Sequence, residues 1–357
     1  MRDETLLLLI LAVGLGLLYQ WGFRVLPRHH WQILFVVPAK EGEVGREQAG
    51  INFTWYGFWS ATAAVSASLW LMVLLGAVGA SLMAVGLLVG GLVLLCVPAA
   101  SWIARLVERK AHTRTVAGAA FTGFLAAPIL ISCINVLPGT LLGKTGAVSA
   151  LPFFPALAGL GIALALGEGM GRLACLSFGC CYGRPIASLP SRWGYWLGRI
   201  AVQFTSPLKK AVYAGGAETG PLVPIQALTC TVLTTTSLLG AWFFLAGRFR
   251  AALFLTLIVT QAWRFVSEFL RNDERGQGNL TTYQLMAVLL LAGLLLLMIV
   301  PTQSEVPAVD LSRGWKQVWQ IEIVLFLELL WIALFVHLGR SQVTGARLSL
   351  FLHRDRL

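Results

Sequence analysis

Two arginines, Arg172 and Arg184, bracket a passage rich in glycine and cysteine that follows an apolar run: Gly167-Glu168-Gly169-Met170-Gly171-Arg172-Leu173-Ala174-Cys175-Leu176-Ser177-Phe178-Gly179-Cys180-Cys181-Tyr182-Gly183-Arg184-Pro185. An arginine at the centre of a bilayer costs about 3 kcal/mol on insertion scales, so such residues face a polar cavity and pair with something anionic. The glycines let the backbone bend and come close to a ligand, and a glycine-rich break in the helix is expected here. A second group, Arg264-Phe265-Val266-Ser267-Glu268-Phe269-Leu270-Arg271, places Arg264, Glu268 and Arg271 at i, i+4 and i+7 on one helix face. Guanidinium forks grip phosphate bidentately, so the two groups together could hold a phospholipid headgroup. The blander readings are arginines that snorkel to the interface and an Arg264–Glu268 pair that neutralises itself. Glu168 precedes Arg172 by one helical turn, where it could orient that guanidinium, accept a proton, or form a plain ion pair.

Other reactive side chains are sparse. Cys175, Cys180 and Cys181 could serve as a nucleophile, a metal site or a redox pair, but no histidine lies near them in sequence, and the Cys180-Cys181 pair reads first as small packing residues. No metal and no cofactor are therefore expected. Cys96, Cys133 and Cys230 fall inside apolar runs as small hydrophobes. His29 and His30 precede the core helices, and His112 lies in a loop. Glu322 and Glu328 share the last apolar run, but their spacing puts them on different helix faces.

The elements that must position these groups are membrane helices. Of 357 residues, 57% are apolar and 12% charged, with a mean hydropathy of +0.76, far less charge than the roughly 25% of a soluble domain. Only helices or closed barrels satisfy every backbone group in hydrocarbon, and a spanning helix needs about 20 apolar residues. The apolar runs Thr5–Tyr19, Phe53–Ala104 (two spans), Thr115–Gly143, Thr145–Gly167, Pro221–Gly247, Ala251–Trp263 continuing toward Glu268, Leu280–Ser304 and Val318–Gly339 give about nine spans. The first is read as a membrane helix, because no small-residue cleavage site precedes Trp21. The net charge of +11 sits in loops between spans, where anionic headgroups are the nearer partner, so nucleic acid is not expected. Arg184–Gly220 mixes Trp193, Tyr195, Trp196 and Phe204 with Arg192, Arg199, Lys209 and Lys210, which predicts a small head lying in the headgroup layer.

Gly171-Arg172-Leu173, Gly179 and Tyr182-Gly183-Arg184 together resemble the signature of the bacterial prolipoprotein diacylglyceryl transferases. The Arg264–Arg271 stretch resembles that family's arginine-phenylalanine, glutamate-phenylalanine and arginine run. Trp55-Tyr56-Gly57 resembles the opening of its first core helix, and Pro224-Ile225-Gln226 the start of its proline-x-glutamine segment. The matches keep the family's order over roughly residues 53–300. The chain departs from the pattern at Cys175 and Cys180, which replace an asparagine and a glutamate, and at Ala227-Leu228-Thr229, which replaces leucine-tyrosine-glutamate. Thr115-Val116-Ala117-Gly118-Ala119 occupies the place of a histidine-glycine-glycine that the family is held to need for catalysis; His112 could stand in for the histidine.

The resemblance implies an all-α, polytopic membrane bundle of about seven core helices plus added terminal helices, in a bacterial cytoplasmic (inner) membrane. The expected division is an N-terminal helix and polar loop (1–52), a transferase-like core (53–301) with its head at about 184–220, and a C-terminal helix with a basic tail (302–357). The implied reaction moves a diacylglyceryl group from phosphatidylglycerol to the lipobox cysteine thiol of a prolipoprotein, or to another thiol acceptor, releasing glycerol phosphate. Arg172 and Arg264 are the candidates for holding the departing phosphate, with Glu268 fixing Arg264. Tyr56, Gly171, Arg184, Arg271, Gln226 and Glu168 are the candidate substrate-binding residues. The alternative is a phospholipid-binding or transport protein that keeps the arginine cavity without the chemistry.

Overall fold

A backbone in hydrocarbon has no water to bond, so the apolar runs can pair their N–H and C=O groups only within themselves, as helices. The computed structural model describes residues 2–29, 32–39, 47–108, 115–140, 151–215, 220–272, 280–300 and 308–349, with single positions 351, 353 and 355. Its elements are α1 (Arg2–Val25), β1 (Ile33–Pro38), β2 (Glu47–Thr54), α2 (Trp55–Ala77), α3 (Leu82–Glu108), α4 (Val116–Thr140), α5 (Phe153–Phe178), a 3-10 turn (Ile186–Ser188), α6 (Ser191–Gly198) and α7 (Lys210–Gly215). There follow α8 (Ile225–Leu245), α9 (Phe249–Phe269), α10 (Thr282–Ile299), α11 (Leu311–Val318), α12 (Ile321–Gly339) and β3 (Ala346–Ser349). Among the described residues, nine helices are long and apolar enough to cross a membrane: α1 to α5, α8 to α10 and α12. The chain is an all-α, multi-pass membrane bundle.

The most deeply buried of these spans is α5, which packs against α2, α8 and α9. Its glycines make that possible. A Cβ added at Gly169 would lie 2.6 Å from Thr234 Oγ1 on α8, and one at Gly167 would lie 2.9 Å from Ala67 Cβ on α2. Small residues let membrane helices approach closely. The glycine-rich break expected between Arg172 and Arg184 falls at Gly179: the helix runs on from Gly167 through Arg172 to Phe178 and ends at Gly179, whose φ of +74° forms a left-handed cap.

The terminal segments are packed onto the core. Tyr19 of α1 hydrogen-bonds Thr234 of α8 at 2.7 Å. α11 and α12 both lie along α2, where a Cβ at Gly57 would fall 2.0 Å from Gly339 Cα and one at Gly314 would fall 2.1 Å from the Val73 oxygen. The glycine of Trp55-Tyr56-Gly57 is thus demanded by a backbone-to-backbone crossing with α12. An antiparallel sheet ordered β1-β2-β3 joins the two ends of the chain, with Ile33 opposite Thr54 and Glu47 opposite Ser349.

The segment between α5 and α8 is held down by a buried lysine. Lys209 Nζ donates to the Leu26 carbonyl at 3.0 Å and to the Ser177 carbonyl, one of the last of α5. A cation is favourable at that helix end. Gln32 adds a second tie through its amide to the Leu208 carbonyl. Further along, α6 exposes Trp193, Tyr195 and Trp196, and the Arg199 guanidinium lies 4.9 Å from the Tyr195 ring centre. Amphipathic side chains of this kind suit a headgroup layer.

Burial pushes the Lys209 ammonium down to about 8 from its ordinary 10.5. Below pH 8 the group is charged in both folded and unfolded chains, and the folded state bears the cost of burying that charge. Between 8 and 10.5 the unfolded chain binds more protons, so this contribution to stability rises with pH and levels off above 10.5. At pH above about 10, where the buried amine is neutral and its charge costs the folded state nothing, Lys209→Met should lower the apparent melting midpoint in detergent by leaving two carbonyls unpaired, a loss of about 1–3 kcal/mol. The variant should also lose the rise in midpoint between pH 8 and 10. An unchanged midpoint and pH profile would show that the lysine does not clasp these segments.

Candidate active site

The site is built where α5, α9 and the start of α8 converge. Glu168 and Arg172, one turn apart on α5, form an ion pair with Nη2 to Oε1 at 2.7 Å. The other carboxylate oxygen of Glu168 accepts from Arg264 Nη2 of α9 at 2.6 Å. Side-chain exposures of 15% for Arg172, 10% for Arg264 and 9% for Glu168 place all three inside the protein. A buried carboxylate thus bridges two guanidiniums from different helices, leaving one net positive charge. Each arginine spends one terminal nitrogen on Glu168, and Arg172 Nε is buried without a hydrogen-bond partner among the described residues. A Cβ at Gly171 would meet only Ala63 Cβ, at 3.9 Å, so helix packing does not account for this glycine.

The bridge alters the expected pairing. Helical spacing joined Arg264 to Glu268, whereas the carboxylate bonded to Arg264 is Glu168 of α5, 96 positions away. Glu268 lies lower on α9, where its Oε2 accepts from Thr281 Oγ1 at 3.4 Å. Thr281 also caps α10 through a reciprocal pair of bonds with Gln284, and Gln284 Nε2 donates to the Phe265 carbonyl at 3.1 Å. The cap of α10 is thereby tied to the polar face of α9, a link that local sequence spacing does not disclose.

Backbone pairing brings the end of the signature to the end of α9. Arg184 N donates to the Leu270 carbonyl at 2.9 Å, and Asn272 N to the Tyr182 carbonyl at 3.2 Å. Gly183 opposes Arg271 and is pressed on Val223, whose oxygen would lie 2.3 Å from an added Cβ. Arg271 is half-buried and within electrostatic reach of Arg172, whereas the Arg184 side chain is exposed. Gln226, buried at the start of α8, donates Nε2 to the Cys180 carbonyl at 2.9 Å and so holds the signature loop. Thr229 Oγ1, where the resemblance expects a glutamate, accepts from Trp263 Nε1 at 3.0 Å. Tyr56 at the head of α2 meets Phe178 edge-on at 5.6 Å and lies within electrostatic reach of Cys175, Cys180 and Cys181.

The three cysteines come together. The left-handed turn at Gly179 reverses the chain, Cys181 itself takes a φ of 54°, and the three sulfurs lie within 4.8 Å of one another. All three are free thiols and half-buried. Hydrogen bonds from the Cys175 and Cys180 thiols, with Arg271 and Arg172 beyond them, hold the Cys181 thiol well below its usual range. The reading of Cys180 and Cys181 as small packing residues does not describe this arrangement, which brings Cys175 to them. Glu322 and Glu328 lie on exposed positions of α12, and the His29 ring stands 6.4 Å from that of Trp55. His30 and His112 lie outside the described residues.

The fold and this site define a class: a polytopic helical membrane protein with a buried, net-cationic cluster where two of its central helices meet. The chain belongs to the prolipoprotein diacylglyceryl transferase family, whose model matches residues 47–300. It is also similar to the phosphatidylglycerol–prolipoprotein diacylglyceryl transferase 2 of Clostridium perfringens, with 32% identity over 136 residues. That match covers 38% of this chain and 47% of the relative, so it spans about half the relative's length.

Proposed function

We propose that the protein transfers a diacylglyceryl group from phosphatidylglycerol to a cysteine thiol of a prolipoprotein, in a bacterial cytoplasmic membrane. The observation that carries this reading is the buried Arg172–Glu168–Arg264 bridge. Its single net positive charge matches the single negative charge of a phosphodiester. The glycine at 171 keeps the neighbouring space open for a headgroup.

In this reading the acceptor sulfur attacks the glycerol methylene of the lipid. The carbon–oxygen bond to phosphate breaks, and its electron pair stays on the oxygen, so charge grows on the departing glycerol phosphate. Donors already fixed in a site shielded from water stabilise such charge without reorganising. Arg172 and Arg264 supply those donors, and Glu168 holds both forks in place. Arg271 guides the headgroup from the end of α9, with the exposed Arg184 at the entrance. Glu268 acts from the lower face of α9 through Thr281 and the cap of α10, and Tyr56 and Gln226 shape the signature loop around the acceptor.

The test is incubation of the purified protein, in phosphatidylglycerol-containing micelles, with a lipobox peptide, followed by mass analysis. The expected result is a peptide heavier by one diacylglyceryl group and absent with Arg172→Ala. Phosphatidylglycerol bound but unconsumed, with the peptide unmodified, would favour a lipid-binding protein instead.

A further inference from the structure

Cys175, Cys180 and Cys181 have no part in holding phosphate, yet the fold takes trouble to gather them. A non-glycine residue in the left-handed region carries a conformational cost that persists only where the surroundings enforce it, and Cys181 is the one such residue described. Gln226 fixes the adjoining Cys180 carbonyl, and Gly179 makes the turn. We propose that these three thiolates bind one zinc ion whose fourth position is open to the acceptor thiol.

The geometry suits that ion. Zinc–sulfur bonds of about 2.3 Å in a tetrahedron place sulfurs about 3.8 Å apart, so three sulfurs within 4.8 Å need to close by about 1 Å at most. A disulfide would need about 2.05 Å between two of them. Three protein ligands with one open position are the pattern of a zinc site that binds substrate, and among the described residues no fourth cysteine, histidine or carboxylate joins the group. Three thiolates around a divalent ion leave one net negative charge, and Arg172 and Arg271 lie within reach to offset it. The sequence reading that expected no metal is replaced by this proposal.

The role deepens the transferase reading and rests on it. A thiol with an ordinary pKa of about 8.5 is a poor nucleophile at neutral pH. Coordinated to zinc it gives its proton to water and stays as thiolate. That sulfur then attacks the glycerol methylene, the bond to the phosphate oxygen breaks, and glycerol phosphate leaves against the arginines. The metal keeps its oxidation state and is regenerated when the thioether departs. The cluster would thus supply the thiol activation that the family's missing histidine leaves unassigned.

The test uses the full chain, purified reduced in detergent. Elemental analysis should find about one zinc per chain, and each of Cys175→Ser, Cys180→Ser and Cys181→Ser should cut it to near background. With cobalt substituted for zinc, the wild-type protein should show sulfur-to-cobalt charge-transfer bands. Its visible bands should shift when a lipobox peptide is added, but not when the peptide carries serine for cysteine. Absence of zinc and of cobalt bands in the wild type, copper in place of zinc, or a disulfide among these cysteines would each overturn the site. A bound metal blind to the thiol peptide would overturn its open position. A metal site that responds to the peptide, with no phosphatidylglycerol consumed, would leave this inference standing and overturn the transferase reading.

Discussion

Glu168→Gln should unfold the protein at markedly lower temperature and reduce transfer by about 100-fold or more. Glutamine has nearly the shape of glutamate but no charge, so the substitution isolates electrostatics. Arg172 and Arg264 would then face each other inside the protein without the carboxylate that holds them 2.7 and 2.6 Å from its oxygens. Removing one partner of a buried ion pair costs about 3–5 kcal/mol, because the remaining charge stays buried and uncompensated. Here two such charges remain. The distinguishing observation is rescue by an anion: glycerol phosphate should raise the melting midpoint of Glu168→Gln more than that of the wild type, since the vacated charge is the one a phosphate can replace. A variant that melts as the wild type does, with or without glycerol phosphate, would show that the bridge is not a charged, buried network.

Arg172→Lys and Arg264→Lys should each lower turnover by about 100-fold, or about 2.7 kcal/mol of transition-state stabilisation, while leaving lipid binding within a few-fold. Each guanidinium is asked to do two things at once. One nitrogen is committed to Glu168, and the rest of the planar fork must meet the phosphate. A lysine carries the same charge on one compact ammonium, which can hold the carboxylate or the phosphate in good geometry but lacks the fork to span both. The loss should fall on turnover more than on apparent affinity, because charge on the departing oxygen is largest in the transition state. Lysine variants within about twofold of wild type would mean that only net charge matters at these positions.

Much of the scaffold is legible in the chain because hydrocarbon leaves few choices. The apolar runs mark the spans, and the helices fall close to them. The largest difference is in the bounds of α5, where the apolar run suggested Thr145–Gly167 but the helix spans Phe153–Phe178. In a membrane the glycines at 167 and 169 serve close helix contact, against Ala67 and Thr234. The three-stranded sheet is not marked in the sequence because β2 and β3 are half-exposed, β3 has only four residues, and the two are separated by most of the chain.

The candidate site was legible in kind but not in connection. Helical periodicity relates residues on one helix, and it brought Glu168 to Arg172 correctly. It cannot report that Glu168 also reaches Arg264, since that contact depends on how α5 packs against α9. The cysteines posed the same problem in another form. In sequence the three left a nucleophile, a metal site, a redox pair and, for Cys180 and Cys181, plain packing all open, and only the left-handed conformations at Gly179 and Cys181 draw the sulfurs together. Lys209 reads as one more basic residue in a polar segment, and only its buried contact with the end of α5 separates it from its neighbour Lys210.

The most direct measurement follows both products in one incubation. Purified protein with phosphatidylglycerol and a lipobox peptide is sampled over time for free glycerol phosphate and for diacylglyceryl-modified peptide. The account predicts equal amounts of the two at every time point, and neither with the serine peptide or with Arg264→Ala. Glycerol phosphate released without modified peptide, or no turnover from a folded, lipid-loaded protein, would contradict it.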